Sequence, residues 1–170
     1  DGHESSMCGN GGRCIVAFAH QLGMIGNTTQ FVAIDGAHTA ERNKGTVSLK
    51  MADVDTIVDK NSSYFLNTGS PHHVQNVSDL QTMDVKKHGA RIRYGVYGQS
   101  GSNVNFVEQI GKDVFKVRTY ERGVEDETLS CGTGVTAVAL AMHHAKNSSS
   151  ETITIRTQGG DLTVSFTPKE

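Results

Sequence analysis

The sequence predicts an α/β (α+β) protein of two pseudo-symmetric halves, each a curved sheet wrapped around one central helix. The first observation is a duplication: Cys8-Gly9-Asn10-Gly11 and Cys131-Gly132-Thr133-Gly134 are near-copies, and an apolar stretch follows each of them. The second is that most of the remaining chain consists of short β-rich runs. One apolar helix per copy, surrounded by strands, indicates two related half-domains.

Both predicted helices are apolar on nearly every side. The first stretch runs from Cys14 to Leu22 with few polar interruptions, and the second runs from Val135 to Met142, broken only by Thr136. Such helices are typical of buried positions, so both are predicted to be buried, and Cys14 is predicted to be an inert packing residue. At roughly 10 residues each they are too short for a bilayer, which needs about 20, so no membrane segment is predicted.

The predicted strands are bounded by Gly, Asn, Asp or Ser residues, as strands usually are. They are Thr29 to Ile34, Gly45 to Met51, Ile92 to Val96, Val104 to Val107, Val114 to Thr119, Thr152 to Arg156 and Leu162 to Phe166. The boundary between the halves is placed so that residues 1–51 form part of the N-terminal half-domain and residues 52–170 form the C-terminal half-domain. The first half has about 50 residues, below the ~60 at which burial becomes marginal, so we expect it to be truncated.

Composition narrows the class of partner and the compartment. The 170 residues carry a net charge of −2, which provides no basic surface for nucleic acid. A small molecule is the predicted partner, and a homodimer is left open. The three cysteines do not suggest a disulfide framework, and reduced thiols favour a cytoplasmic location.

The two Cys-Gly loops are the predicted reactive sites. A helix N-terminus has unpaired N–H groups and a partial positive charge, so it favours both a thiolate and a bound carboxylate. Glycine leaves those N–H groups open to a ligand. Cys8 and Cys131 are therefore the candidate catalytic residues, and two thiols at one reacting centre can act as an acid and base pair.

Two other kinds of site are not favoured by the pattern. A structural zinc site needs four ligands at short paired spacings, and the cysteines have no such spacing. A phosphate loop needs Lys-Ser/Thr after its glycines, and a dinucleotide site needs an acidic ribose contact, and neither is present. No metal and no cofactor are predicted.

The chain resembles the diaminopimelate epimerase family, the pyridoxal-independent amino acid epimerases. The resemblance rests on four motifs in the family's order, spanning the whole chain. They are Asp1-Gly2 with Cys8 to Cys14, Gly69-Ser70-Pro71-His72, Asn103-Val104-Asn105-Phe106, and Tyr120-Glu121-Arg122-Gly123 with Ser130 to Gly134.

This resemblance implies an isomerase that interconverts LL- and meso-diaminopimelate in lysine and peptidoglycan precursor biosynthesis. The substrate would lie in a cleft between the two halves. Cys8 and Cys131 would remove and return the α-proton on opposite faces of the α-carbon and exchange roles with reaction direction. The backbone N–H groups beside them would hold the reacting carboxylate. These groups belong to Gly9, Asn10, Gly132 and Thr133.

The resemblance also implies the groups that bind the rest of the substrate. Arg122 would clamp the distal carboxylate through its planar bidentate fork, with Asn103 assisting. Glu121 would accept a hydrogen bond from an ammonium, and His72 would lie near Cys8 and tune it. Many family members have Asn where this chain has Ser70. A hydroxyl is shorter than an amide and has one donor rather than two, so the contact of Ser70 with the distal end of the substrate is expected to be weaker or bridged by water.

Three alternatives are weighed against this function. A proline racemase type enzyme typically has His where this chain has Asn10, and a phenazine-pathway isomerase lacks the cysteine pair. A non-catalytic amino acid binder could keep the carboxylate-binding loops without turnover. The presence of both Cys8 and Cys131 disfavours the binder, and together with Asn10 it favours diaminopimelate as the substrate.

Overall fold

A computed structural model describes residues 6–169, so Asp1 and Gly2 of the first motif lie outside the described residues. The chain divides into two compact units, the first ending at Asp53 and the second beginning at Val54. The mixed α/β class predicted from the sequence is confirmed: helices and sheets are present in both units.

The described residues form three helices and eleven strands. The helices are α1 (Gly9–Gln21), α2 (Val85–Gly95) and α3 (Gly132–His144). The strands are β1 (Thr28–Ala33), β2 (Gly36–Asn43), β3 (Thr46–Leu49), β4 (Val58–Lys60), β5 (Ser63–Asn67), β6 (Pro71–Asn76), β7 (Asn103–Gly111), β8 (Val114–Glu121), β9 (Asp126–Thr128), β10 (Thr152–Thr157) and β11 (Gly160–Ser165). Helices α1 and α3 begin at the two Cys-Gly loops, as predicted.

The first unit is a three-stranded antiparallel sheet, ordered β1-β2-β3, with α1 packed on β2 and β3. Only one face of α1 is buried, and it consists of Gly9, Gly12 and Val16. The prediction that α1 is buried all round is wrong for this chain, since Ile15 and Phe18 are 60% and 58% exposed. Three strands are too few to surround a helix, so the rest of its apolar surface stays uncovered.

Cys14 lies on this uncovered side of α1 and is exposed. The prediction that it is a buried packing residue is therefore also wrong. Its helical position points it away from the face that Gly12 and Val16 bury against the sheet.

The second unit is built on an eight-stranded sheet with the order β11-β10-β8-β7-β6-β5-β4, and β9 pairs with the end of β8. Strand β6 is parallel to β7, and β8 is parallel to β10 and antiparallel to β7. Strands β6 and β7 therefore start at the edge of the sheet where β8 ends. This edge carries most of the predicted site residues of the second unit.

Helix α3 packs against one face of this sheet and is buried, as predicted. Its residues Ala137, Val138, Ala141 and Met142 have no exposed surface and belong to the larger hydrophobic core, whose members also come from β5 to β8, β10 and β11. Small and apolar side chains on nearly every side allow strands to approach the helix from several directions.

Helix α2 covers the opposite face, where Leu80, Val85, Val104, Phe106 and Tyr120 form a second core. The prediction of a strand at Ile92 to Val96 is wrong, because residues up to Gly95 belong to α2. Asp84 caps this helix by accepting a hydrogen bond from the Lys87 N–H at 3.0 Å.

Close contact between α2 and β8 depends on Gly89. A Cβ placed there would overlap the Cβ and Cγ atoms of Tyr120. We expect Gly89→Ala to lower the free energy of unfolding by about 1–3 kcal/mol, as overpacking usually does, although alanine has a better helix propensity by ~1 kcal/mol. Urea unfolding of the two proteins would measure the difference.

Gly95 in the same helix provides the control, because a Cβ there meets nothing within 4 Å. Gly95→Ala should leave stability unchanged or raise it by about 0.4–1 kcal/mol. Equal effects at the two glycines would contradict the packing explanation.

Candidate functional site

The second Cys-Gly loop forms the N-terminus of α3. Cys131 is the N-cap residue, with the extended backbone (φ −119°, ψ 113°) that this position requires, and Gly132 and Thr133 are the first two helical residues. Gly134 is required by the close approach of β7, because a Cβ there would lie 2.6 Å from Asn105 Oδ1 and 3.3 Å from Cys131 Sγ. The thiol side chain is largely buried, with Cys131 8% exposed.

A chain of hydrogen bonds connects the buried histidine of β6 to this thiol. His72 Nε2 lies 2.9 Å from Thr133 Oγ1, and the same hydroxyl lies 3.4 Å from Cys131 Sγ. Thr68 holds the backbone of the loop, since its hydroxyl donates to Thr133 O at 2.8 Å. All four residues are buried.

His72 is neutral in this environment. Burial, together with the positive charge of Arg122, lowers the pKa of its imidazole from an ordinary value of 6.5 to about 3. A neutral imidazole has one donor nitrogen and one acceptor nitrogen. Its hydrogen bonds with Thr133 and with Asn105 on β7 are therefore made by nitrogens of opposite type.

Asn103 and Ser70, both predicted to bind substrate, are bonded to each other at the edge of the sheet. Asn103 Nδ2 donates to Ser70 Oγ at 2.9 Å and to Pro71 O at 3.1 Å. Asn103 Oδ1 accepts from the Arg122 N–H at 2.9 Å. Asn103 therefore links the start of β6 to the residue that follows β8, and both Asn103 and Ser70 are 4% exposed.

Arg122 and Glu121 lie where β8 ends. Glu121 is the last residue of β8 and is half-buried, and its carbonyl accepts from the Glu125 N–H at 2.8 Å. The Arg122 guanidinium donates to Ser100 O at 2.9 Å, which uses one of its five N–H donors.

The turn after Arg122 is held by Glu125. Arg93 Nε lies 2.9 Å and 3.1 Å from the two Glu125 carboxylate oxygens, and Tyr120 Oη and the Gly123 N–H also donate to them. Burial works against ionisation of Glu125, but these donors outweigh it and hold the pKa of its carboxyl below the usual value. Glu125 has a left-handed backbone (φ 59°), so this carboxylate stabilises a strained turn.

The first Cys-Gly loop has the same cap geometry in its own unit. Cys8 is the N-cap of α1 (φ −115°, ψ 104°), and its sulfur accepts from the Gly11 N–H at 3.3 Å. Gly9 is the first helical residue and is buried. Asn10 Oδ1 accepts from Arg13 Nη2 at 2.5 Å.

The two loops differ in what surrounds the sulfur. Cys8 is exposed and its sulfur accepts a hydrogen bond from a backbone N–H, whereas Cys131 is buried and its sulfur contacts the Thr133 hydroxyl. The residue that corresponds to Thr133 in the first loop is Asn10, which is bonded to Arg13 instead. Near-identical sequences therefore form N-caps with the same backbone conformation, but the sulfur of Cys8 makes a cap hydrogen bond and that of Cys131 does not.

The structure gathers one part of the predicted site within the second unit. Residues in or next to β6, β7, β8 and α3 lie at one edge of the sheet; they are Ser70, His72, Asn103, Glu121, Arg122, Cys131, Gly132 and Thr133. Cys8, Gly9 and Asn10 belong to the first unit. That His72 lies beside Cys8 stays a prediction; its described partners are Thr133 and Asn105.

Sequence reasoning missed four supporting residues: Thr68, Asn105, Arg93 and Glu125. Asn105 had a usable signal, because it is a polar residue at an alternate position of the apolar run Val104 to Val107. Thr68 and Arg93 are ordinary polar and charged residues whose partners are distant in sequence. Glu125 has both near partners and the distant Arg93.

Residues 6–169 contain neither a membrane-spanning helix nor a cluster of metal-ligating side chains. None of the helices described there has the length and apolar character needed to cross a bilayer. In the same part of the chain, no three His, Cys, Asp or Glu side chains are grouped as a metal site would require.

Acid stability should report the neutral state of His72. Its folded-state pKa of about 3 lies below the unfolded value of 6.5, so between these pH values the unfolded chain binds a proton that the folded chain does not. The contribution of neutral His72 to the free energy of unfolding is complete above pH 6.5. It falls by up to about 1.4 kcal/mol per pH unit as the pH drops toward 3. His72→Gln should make the free energy of unfolding less dependent on pH between about 6.5 and 4.

Urea unfolding across this range would measure the slope. His73→Gln is the matched control, because burial also lowers the pKa of His73 but its side chain is less deeply buried, so its removal should change the slope less. An unchanged slope in His72→Gln would contradict the neutral assignment.

A family model described as diaminopimelate epimerase matches residues 64–170. The diaminopimelate epimerase of Flavobacterium psychrophilum is 56% identical over 168 residues, covering 98% of this chain and 66% of the relative. That of Aquifex aeolicus is 39% identical over 178 residues, covering 98% and 64%. The chain thus spans slightly less than two thirds of these relatives.

Solved structures show the same fold at low sequence identity. A probable proline racemase from Agrobacterium radiobacter matches with a TM-score of 0.68 at 14% identity, covering 94% of this chain and 59% of that one. A hydroxyproline epimerase from Agrobacterium vitis matches with a TM-score of 0.68 at 16% identity, covering 97% and 60%. These similarities concern the fold alone. From the family model and the sequence relatives, the chain belongs to the diaminopimelate epimerase family.

Proposed function

We propose that the protein is a cofactor-independent epimerase that interconverts LL- and meso-diaminopimelate in lysine and peptidoglycan precursor biosynthesis, in the cytoplasm. The observation that carries the proposal is the position of Cys131 at the N-cap of a buried helix, with its sulfur 3.4 Å from the Thr133 hydroxyl of a hydrogen-bonded cluster, in a chain of this family. The diaminopimelate epimerase of Flavobacterium psychrophilum, at 56% identity, also supports it.

The chemistry needs one base and one acid. A thiolate removes the α-proton from one face of the α-carbon while a thiol donates a proton to the other face, so the configuration inverts and the two sulfurs exchange protonation states. Cys8 and Cys131 are assigned these roles. The reaction is symmetrical in the sense that the reverse direction begins with the opposite sulfur as the base.

The α-proton can be removed only if the negative charge that develops on the adjacent carboxylate is stabilised as the proton leaves. Two helix N-termini carry N–H groups without intrahelical partners and a partial positive charge. The backbone N–H groups of Gly9, Asn10, Gly132 and Thr133, at the first turns of α1 and α3, are assigned to this carboxylate. Fixed donors of this kind need no reorganisation during the reaction.

The distal end of the substrate is assigned to the edge of the sheet beside β8. Arg122 would bind the distal carboxylate, Glu121 would accept from an ammonium, and Asn103 and Ser70 would support them. The bond from the Arg122 N–H to Asn103 and the anchored turn at Glu125 favour this assignment, because they restrict the position of the arginine before substrate binds.

One experiment distinguishes the proposed epimerase from an amino acid binder and from a racemase of proline type. The full-length protein would be incubated with LL-diaminopimelate in D₂O, and deuterium at the α-carbon would be measured by mass spectrometry together with the appearance of the meso form. An epimerase gives both; an amino acid binder gives neither. A racemase of proline type would instead exchange the α-proton of proline, which serves as the parallel substrate.

Both thiols should be essential, and Cys14 should not be. Cys8→Ala and Cys131→Ala are each expected to abolish epimerisation, because inversion requires a proton carrier on both faces. Cys14 is exposed on α1, so Cys14→Ala should leave the rate unchanged and alter stability by less than about 0.5 kcal/mol.

Initial rates of meso-diaminopimelate formation would be measured for the three variants, with circular dichroism used to verify folding. Full epimerisation by a folded variant that lacks either Cys8 or Cys131 would rule out the two-base mechanism.

Arg122 should decide substrate choice. A bidentate arginine to carboxylate contact is a charge-assisted pair, and its loss is expected to lower kcat/KM for diaminopimelate by about 10- to 100-fold, equivalent to roughly 1.5–3 kcal/mol. Arg122→Lys should not restore activity lost in Arg122→Met, because a lysine cannot reproduce the planar fork.

The measurement is kcat/KM for diaminopimelate and for lysine, a diamine with one carboxylate. Wild-type protein should not turn over lysine. If it does, or if Arg122→Met lowers both values equally, Arg122 has a structural role and does not bind the distal carboxylate.

A further inference from the structure

Asn105 is a buried polar residue for which the proposed mechanism has no role. It lies on β7, two residues after Asn103, and has no exposed surface. Side chains alternate along this strand: Val104 and Phe106 belong to the core beneath α2, so Asn105 faces α3. Its amide group contacts His72, His73 and Thr119.

The orientation of the Asn105 amide follows from its neighbours. One end lies 2.9 Å from the backbone carbonyl of His73, and a carbonyl oxygen only accepts, so this end must be the nitrogen, Nδ2. The other end lies 3.0 Å from Thr119 Oγ1, which donates to Oδ1. Amide orientation is properly assigned from such a network, and here the network permits one assignment.

This orientation fixes the tautomer of His72. Asn105 Nδ2 is also 3.1 Å from His72 Nδ1. Because an amide nitrogen donates hydrogen bonds and does not accept them, Nδ1 must be the acceptor. A neutral imidazole with an acceptor at Nδ1 carries its hydrogen on Nε2. His72 Nε2 therefore donates to Thr133 Oγ1, 2.9 Å away.

The same reasoning continues to the thiol. Since Thr133 Oγ1 accepts from His72, its own hydrogen is available for another acceptor, and Cys131 Sγ lies 3.4 Å away. Every hydrogen bond then points in one direction, from Asn105 through His72 and Thr133 to the sulfur. A hydroxyl that donates to sulfur favours the thiolate over the thiol.

We propose that Asn105 is a positioning residue: it holds His72 in the Nε2–H tautomer and thereby directs the Thr133 hydroxyl hydrogen onto Cys131. The proposal rests on the proposed function in that Cys131 is a proton carrier. It also distinguishes the two thiols. Cys8 accepts a hydrogen bond from the backbone N–H of Gly11, whereas Cys131 accepts one from the Thr133 hydroxyl, whose direction depends on Asn105 through His72.

Asn105→Asp tests the direction with almost no change of shape. A carboxylate cannot donate to His72 Nδ1, so the hydrogen of the neutral imidazole should move to Nδ1. His72 Nε2 then accepts from the Thr133 hydroxyl, which can no longer donate to Cys131. Nitrogen-15 spectra of the histidine rings at about pH 8.5, with the His72 signals identified by their absence in His72→Gln, would show the tautomer in wild type and variant.

The consequence at the thiol would be measured by alkylation. Full-length protein would be treated with iodoacetamide at about pH 8, and the rates at Cys131 and Cys8 would be followed separately by peptide mass spectrometry. We expect Asn105→Asp to slow alkylation of Cys131 about tenfold, one pKa unit of thiolate stabilisation, with Cys8 unchanged. At about pH 10.5 both proteins should react equally, which shows that access to the sulfur is the same.

Thr119→Val is the matched control. It removes the hydroxyl that donates to Asn105 Oδ1 but leaves Nδ2 and the tautomer of His72 unchanged. It should destabilise the fold without slowing Cys131. If Thr119→Val slows Cys131 as much as Asn105→Asp does, Asn105 has only a structural role and the proposal is wrong.

Substitution of Thr133 provides a second route if Asn105→Asp does not fold. Thr133→Val should slow Cys131 alkylation to the same degree, and Thr133→Ser, which keeps the hydroxyl, should restore it. In a folded Asn105→Asp background, Thr133→Val should have no further effect, because both changes act on one hydrogen bond; additive effects would overturn the proposal.

The alkylation and nitrogen-15 measurements require no turnover. They can therefore succeed if epimerisation fails, and the reverse also holds. Wild-type spectra showing the His72 hydrogen on Nδ1, or an unchanged tautomer in Asn105→Asp, would refute the inference and leave the proposed function intact.

Discussion

The candidate site depends on the close approach of the α3 N-terminus to strand β7. Gly134 has no room for a side chain, because the Asn105 amide oxygen occupies that space. This contact brings the hydroxyl of Thr133 within reach of His72 on the neighbouring strand. The other contacts of the loop depend on this approach. A side chain at position 134 as small as a methyl group would push the helix away and separate the thiol loop from the buried polar residues of the sheet.

The fold could be predicted where the sequence signal is local. The two Cys-Gly loops fix the starts of α1 and α3, and the alternating apolar residues of β8 fix that strand. Helix α2 could not be predicted in the same way, because Gly89 on its buried face disfavours a helix in sequence. The structure shows that close contact with Tyr120 requires this glycine. The burial of α1 was overestimated because apolar composition does not reveal how many strands are available to cover a helix.

The candidate site was predictable as a set of residue types but not as a network. The family motifs contain Ser70, Asn103 and Arg122, yet only the structure shows that these residues bond to one another. Their partners come from strands that pair in parallel or after long connections, and such pairing has no local sequence pattern. The strands β4 to β6 escaped prediction for a related reason: polar residues such as His72 and Ser63 are buried there and obscure the alternation.

If Arg122 selects the substrate as proposed, the salt bridge between Arg93 and Glu125 connects helix α2 to that selection. Arg93 lies near the end of α2, on the face of the sheet opposite α3, and also donates to Gly98 O at 2.7 Å. Libraries designed to alter specificity usually sample only residues that line a binding site. For this chain such a library would also include Arg93 of α2, because its contact with Glu125 holds the turn that carries Arg122.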